Sequence, residues 1–235
     1  EYDIMFAMSS NNPDLKALVE FWAEDTKFCW DGVAARAEWI ALKQISLGKV
    51  TFTNSNNAAI VTEYDVDYLI PAEQKIGVSV SYSTGTGAKP LTVDIPKALK
   101  LGKKLYGATY KFLFMNVDTF EKFASQEEVY KKCASFVQNV VGSQDAPDLA
   151  TVNAYLAKKK ELYRGLQIIV IDQDITLELA DGSRVTENPF EDDVMLFSES
   201  KVLGNTYWKK PIDAKAMPGS VAEKVMHGHT LVKKY

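Results

Sequence analysis

Residues 12–49 read NPDLKALVEFWAEDTKFCWDGVAARAEWIALKQISLGK, and how this stretch folds decides what the rest of the chain can be. Asn12 suits a helix cap because its side-chain oxygen can satisfy an orphan amide, Pro13 suits a first helical position, and Asp14 adds negative charge at the positive helix end. Leu15, Leu18, Val19, Trp22, Thr26, Cys29, Trp30, Val33, Ala37, Ile40, Ala41 and Ile45 recur at three- and four-residue steps, so one face stays largely apolar. Glu20, Glu24, Lys27, Asp31, Glu38 and Lys43 mostly fall elsewhere. Gly48 is the stop, since a left-handed cap is cheap at glycine. An unbroken helix of about 34 residues would run roughly 50 Å, longer than the diameter of a compact domain of this size, so it must lie across a body or bridge neighbours. Gly32, about 1 kcal/mol worse than Ala in a helix interior, is where it could kink or split.

Around this stretch, 235 residues with 46% apolar side chains can form one large domain or two modest ones with a sizeable core. The net charge of −4 argues against a nucleic-acid reader that works by neutralising phosphates, and no basic stripe stands out to rescue that role. A container wall that merely faces packed nucleic acid is compatible with it. Cys29 and Cys133 sit on apolar helical faces and read as buried thiols of a reducing compartment, without the spacing of a disulfide framework or metal site. No run approaches 18 apolar residues and the amino terminus is not a charged-then-apolar signal. The start at Glu1, and an end at Lys233, Lys234 and Tyr235 without a closing element, suggest a piece of a longer polypeptide.

After the helix, residues 49–53 (KVTFT) and 59–67 alternate as strands of a hairpin around the polar turn 54–57. Residues 91–107 are helical, 108–117 (ATYKFLFMNV) form an interior strand, and Asp118 opens a short helix. Ser125 and Glu128 fit a capping box for a helix ending at Gly142, and another helix starts at 145–148 and runs to Gly165. Residues 166–172 (LQIIVID) give the strongest buried-strand signal, and 175–179 with 184–186 flank the hairpin turn Asp181-Gly182. Residues 194–197 are one more strand, and 220–226 a weak helix. The block 90–172 therefore reads as strands covered by helices and as a plausible domain of its own.

None of the candidate chemical groups assembles into a site. His227 and His229 flank Gly228 without further metal ligands at a recognisable spacing, and read as surface histidines. Asp172, Asp174, Glu191, Asp192 and Asp193 lie at strand ends and turns, where carboxylates are solvated or cap amides rather than forming a calcium site or an acid–base pair. Gly85-Thr86-Gly87 lacks the following Gly-Lys-Ser/Thr and helix of a phosphate loop, and Lys158, Lys159 and Lys160 form a solvated helix end. Neither cysteine has a histidine nearby in sequence. No catalytic, cofactor-binding or metal residue is assigned, and a structural or assembly role is favoured over a chemical one.

Three stretches carry a family resemblance. Arg36-Ala37-Glu38-Trp39 through Leu47-Gly48-Lys49-Val50 resembles an Arg-x-Glu helix ending in Thr/Leu-Gly-Lys-Val/Ile before a strand; residues 60–71, ending Tyr68-Leu69-Ile70-Pro71, resemble a strand closed by Tyr-Gly-Ile-Pro. GSRVTENPFEDDVMLFSESKVLGNTYW, from Gly182 past Gly204, resembles a segment of Pro, Asp/Asn, strand and Leu-Gly near the carboxyl side. Their order is similar to that of the major capsid proteins of tailed bacteriophages, in particular the lambda-type coat protein E family. Leu69 departs from the pattern where a glycine is common, as does SVSYSTGTG where a tryptophan-containing segment is expected.

The resemblance implies an α+β tailed-phage capsid fold. Residues 1–89 would form the first part of a peripheral domain, with spine helix 13–47 and strands; 90–172 would form an α/β axial domain; and 173–235 would complete the peripheral domain. An extended loop and amino-terminal arm would precede Glu1. It also implies copies of the chain as partners, in pentamers and hexamers closing an icosahedral head around double-stranded DNA, with non-specific DNA proximity, a scaffold or decoration protein, no membrane, and no enzyme or cofactor. The place would be the virion capsid, after synthesis in the host bacterial cytoplasm. Two alternatives are a bacterial nanocompartment shell of the same fold enclosing cargo proteins, and an enzyme with an unrecognised site in the middle domain.

Overall fold

A computed structural model describes residues 13–53, 64–84, 87–137, 146–178, 182–205, 207, 223–227 and 230–234. Within them the chain is a mixed helix-and-sheet fold that separates into two compact units, Glu1–Lys201 and Val202–Tyr235. Several features read from the sequence lie outside the described residues: the segment before Pro13, the turn at 54–57 with the strand start at 59–63, Gly85, Thr86, Gly142, Asp181, Gly228 and His229.

Helix α1 is Pro13–Leu47, 35 residues and therefore about 52 Å long. It passes through Gly32 without a break, and no atom lies within 4 Å of where a side chain on that glycine would begin. Gly48, at φ 74°, ends it, and its amide donates to the Gln44 carbonyl at 2.8 Å. Strands β1 (Lys49–Phe52) and β2 (Tyr64–Asp67) follow as an antiparallel pair with Val50 opposite Val66. The alternation of KVTF is the reason: Val50 and Phe52 are buried and Lys49 and Thr51 exposed.

The largest core belongs to the α/β body. A π-helical turn, Pro90–Asp94, leads into α2 (Ile95–Tyr106). Then come β3 (Phe112–Asn116), α3 (Val117–Ala124), α4 (Glu127–Val137), α5 (Leu149–Lys158), the single turn α6 (Lys160–Tyr163) and β4 (Gln167–Ile171). Strands β3 and β4 are parallel, joined through these helices as parallel strands require. Leu91, Ile95, Leu99, Leu113, Met115, Phe123, Val129, Cys133, Val152, Leu156, Tyr163 and Ile168 fill one cluster between helices and sheet. The Tyr163 hydroxyl donates to the Leu91 carbonyl at 3.0 Å, closing the cluster across 72 residues.

Two expectations change in this sheet. Residues 196–198, which the resemblance would place in the sheet of the peripheral domain, form β7 (Leu196–Ser198) and pair antiparallel with β3, so the order is β4-β3-β7. Strand β4 is consequently an edge, with Ile169, Val170 and Ile171 only half-buried; the central, covered strand is β3. A continuous apolar run measures how much a strand can bury, not where it stands in the sheet.

Strands β5 (Ile175–Glu178) and β6 (Arg184–Glu187) make the expected hairpin, with Thr176 and Thr186 hydroxyls 2.8 Å apart across it. It meets the carboxyl half of α1: Trp39, Val50, Phe52 and Ile175 form a second cluster, with Ala35, Ile40 and Leu177 against it. In the second unit β8 (Glu223–His227) and β9 (Thr230–Lys234) pair antiparallel with Val225 opposite Val232. Over 223–226 this replaces the weak helix expected at 220–226, whose first three residues lie outside the described ones: Val225 and Met226 have β-forming partners in Val232 and Leu231, and pairing overrides a marginal helical propensity.

Candidate functional site

The carboxylates that could have formed an acid–base pair are distributed over a structural joint. Asn188 donates to the Ile171 carbonyl at 3.0 Å and accepts the Phe190 amide at 3.0 Å, which folds 188–193 into a tight loop with Phe190 wholly buried. Glu191 accepts from Lys43 of α1 at 2.9 Å, Asp193 from Lys122 of α3 at 2.8 Å, and Asp192 from Asn116. Asn116 itself caps α3 by accepting the Thr119 amide at 2.9 Å, and donates to the Phe190 carbonyl at 3.2 Å. The loop therefore ties the rod to the α/β body. Asp172 and Asp174 are exposed and take no part.

A second joint holds α1 to the β5–β6 hairpin. The Trp39 indole N–H donates to Glu187 at 2.6 Å, the Arg36 guanidinium stacks 4.2 Å from the centre of the Trp39 ring, and Lys43 lies 3.9 Å from Glu187. Burial lowers the Arg36 pKa, with the Glu187 charge opposing that shift. Trp39 and Glu187 are 148 residues apart in sequence, so no local pattern announces the contact.

Within the α/β body, the helix start at 90–94 is neutralised from inside. Glu128 accepts the Leu91 and Thr92 amides at 3.0 and 3.2 Å and the Thr92 hydroxyl, and pairs with Lys132 at 2.7 Å. Burial pushes its carboxyl up, but the hydrogen bonds from Lys132 and Thr92 outweigh it and leave the pKa below the ordinary carboxylate value. The capping box expected at Ser125 and Glu128 is thus not made: Ser125 donates to the Lys122 carbonyl, and Glu128 serves the neighbouring helix end instead. Asp94 is enclosed by the Ser79 amide and hydroxyl, both at 3.2 Å, and the Tyr82 hydroxyl at 2.9 Å. Burial first and Asp94 second hold the Tyr82 phenol above its ordinary range. These groups are engaged with one another.

Cys133 is buried, and burial pushes its thiol up to about 12, which makes it a poor nucleophile. Cys29 is exposed, contrary to the buried thiol expected from its apolar face: nothing among the described residues covers that part of α1. His227 lies in β8, and no group of three or more metal-ligating side chains occurs among the described residues. No helix there is long and apolar enough to cross a membrane.

Two surfaces remain unpartnered among the described residues. Residues 27–34 of α1 are all exposed, including Phe28 (69%), Trp30 (77%) and Val33 (69%). Along the π-helical turn and α2, an open, shallow hollow is lined by Thr92, Val93, Pro96 and Leu101 together with Lys97, Lys100 and Lys104. This is a basic stripe that composition and motifs do not reveal, although spacings of three and four residues on a predicted helix carry the signal. None of these three lysines has an ion-pair partner among the described residues.

No family model and no curated protein matches the sequence. Among solved structures, the chain is similar to a protein assigned by description as the capsid protein of a prophage of E. coli CFT073, with 17% identity and a TM-score of 0.47. The likeness covers 80% of this chain and 51% of that one, so the chain spans about half its length.

Proposed function

We propose that this chain is a shell-forming coat protein of a tailed phage or prophage, a structural protein whose activity is self-assembly around double-stranded DNA. The observation that carries the reading is the mounting of α1. A 35-residue helix is gripped at its carboxyl half by hairpins from both sides of the α/β body in sequence, β1–β2 and β5–β6, while two of its turns stand uncovered. A rod built this way is a strut for contacts with other copies. It would be the spine of a peripheral domain built with the β1–β2 and β5–β6 hairpins, with the α/β body, β7 included, as the axial domain.

A detail of the resembling motifs supports the same reading. Leu69, at the position where that family commonly has glycine, has φ 54°. The backbone conformation asked of Tyr68-Leu69-Ile70-Pro71 is the one a glycine there would adopt freely. Engaged carboxylates and a high thiol pKa at Cys133 favour a structural role over an enzyme in the middle domain.

The test is electron microscopy of particles purified from cells expressing the longest open reading frame that contains this sequence. Uniform closed shells support the reading, and nuclease-resistant DNA within phage-produced particles supports a head rather than a protein-filled compartment. A protein that stays soluble and unassembled across salt and pH overturns it.

A further inference from the structure

In the β4-β3-β7 sheet the outer side of β4 is closed by a side chain rather than by a strand. The Gln167 amide donates across to the Lys111 carbonyl at 2.8 Å, so Gln167, Ile169 and Ile171 turn their backbone groups toward β3. Ile168 and Val170 therefore turn theirs away, along the edge. At Ile168 both groups are taken: the amide donates to Asn153 Oδ1 at 2.7 Å, and the carbonyl accepts from Asn153 Nδ2 at 3.0 Å. Asn153 belongs to α5, and its carboxamide, one acceptor beside one donor, offers Ile168 what a residue of a further strand would offer. The outward groups of Val170 have no partner among the described residues.

We infer that Asn153 is an edge guard, which keeps β4 from pairing with the β4 strand of a second copy of this chain. Without it the edge would be self-complementary. In an antiparallel pair centred on Ile169, Ile168 of one copy falls opposite Val170 of the other, and Val170 opposite Ile168. The outward groups of each such pair exchange both hydrogen bonds, and β-branched side chains meet β-branched side chains. One surface serves both copies, as a two-fold contact requires. Nothing in the strand itself blunts the edge: QIIVI has no charge and no proline, and Ile169, Val170 and Ile171 are half-buried apolar residues. With Asn153 in place Ile168 is occupied in every copy, and both pairs are blocked at once. The guard is a property of this sheet and does not rest on the shell reading.

Residue-resolved amide exchange and sedimentation velocity on the 235-residue chain test the guard. In the unaltered chain the Ile168 amide is expected to exchange slowly and the Val170 amide fast, at every protein concentration. Asn153→Ala removes both bonds to Ile168, and its self-association is expected to be about tenfold or more tighter than that of the unaltered chain, with the Ile168 and Val170 amides gaining protection together as concentration rises. Asn153→Leu keeps the bulk of the side chain and should behave in the same way. Adding Val170→Pro to Asn153→Ala deletes an outward donor and no bond to β3, so association should return to within about threefold of the unaltered chain. Equal exchange at Ile168 and Val170 in the unaltered chain overturns the inference, as does either Asn153 variant associating no more than that chain does. Association that leaves the Val170 amide open, or that persists in the double variant, overturns it too, since general unfolding would then be the cause. Loss of fold in both Asn153 variants would make this residue a tie between helix and strand, and would likewise remove the guard.

Discussion

Leu69 and Gly48 sit at the two ends of one joint and make opposite use of the left-handed region. Gly48 has φ 74°, and a side chain begun there would run into Ile70. Gly48→Ala therefore carries both a backbone penalty and a displaced Ile70, an expected loss of about 2 kcal/mol by urea unfolding. Leu69 adopts φ 54° without the benefit of being glycine, is 80% exposed, and is held by its amide donating to Asp67 at 2.8 Å. A non-glycine residue in this region costs about 1–2 kcal/mol, whereas the extra chain entropy lost on ordering a glycine costs about 0.5–1 kcal/mol. Leu69→Gly is therefore expected to stabilise the protein by about 0.5–1 kcal/mol in the same measurement; a loss would mean that the Leu69 side chain packs usefully after all. Thiol titration reads a third residue-scale feature. One equivalent, from Cys29, should react with an aromatic disulfide reagent in the native protein, and Cys133 only on unfolding.

At the scale of elements, the helices are held by caps supplied from elsewhere in the chain. Glu128 binds the start of the turn that leads into α2, and its carboxyl is held below the ordinary value of 4.5. Because the folded value is the lower one, its stabilisation is complete above the unfolded value and is lost as pH falls below it through the folded value. Glu128→Gln should cost about 2 kcal/mol near neutral pH and flatten the stability curve below about pH 4.5, a prediction read by denaturant midpoints across pH. A steep acid limb retained in the variant would assign that sensitivity to other carboxylates. The long helix and both hairpins are legible in the sequence because their signals are local: Pro13 and Gly48 bracket α1, and Asp181-Gly182 separates β5 from β6. Glu128 mimics a capping box because its real partners lie 36 and 37 residues away, beyond any local motif. Cys29 misleads for a related reason: periodicity shows which face is apolar, and says nothing about whether another element covers it.

Among the described residues of the first unit, two apolar clusters share no residue, one in the α/β body and one between α1 and the two hairpins. What joins them is the loop 188–193, through Lys43–Glu191, Lys122–Asp193 and the buried Asn116. The two ion pairs are partly exposed and each contributes little, about 0–1 kcal/mol. This organisation is beyond reach of the sequence, since Trp39 and Glu187 meet across 148 residues and β7 joins β3 by a pairing no spacing announces. It makes the unit divisible. Trp39→Ala removes the largest side chain of the smaller cluster, leaves Glu187 without its indole donor, and is expected to cost about 3–5 kcal/mol there. Hydrogen exchange should then show protection lost in β1, β2, β5 and β6 and in the last turns of α1, while the amides of β3 and β4 keep theirs, because none of the residues packed around them has changed. Equal loss of protection in β3 would mean that the loop transmits the full cost and that rod and body unfold as one. Selective loss would leave the α/β body intact beside a loosened α1, with the Lys43–Glu191 pair too weak to carry the cost of the smaller cluster into the larger one.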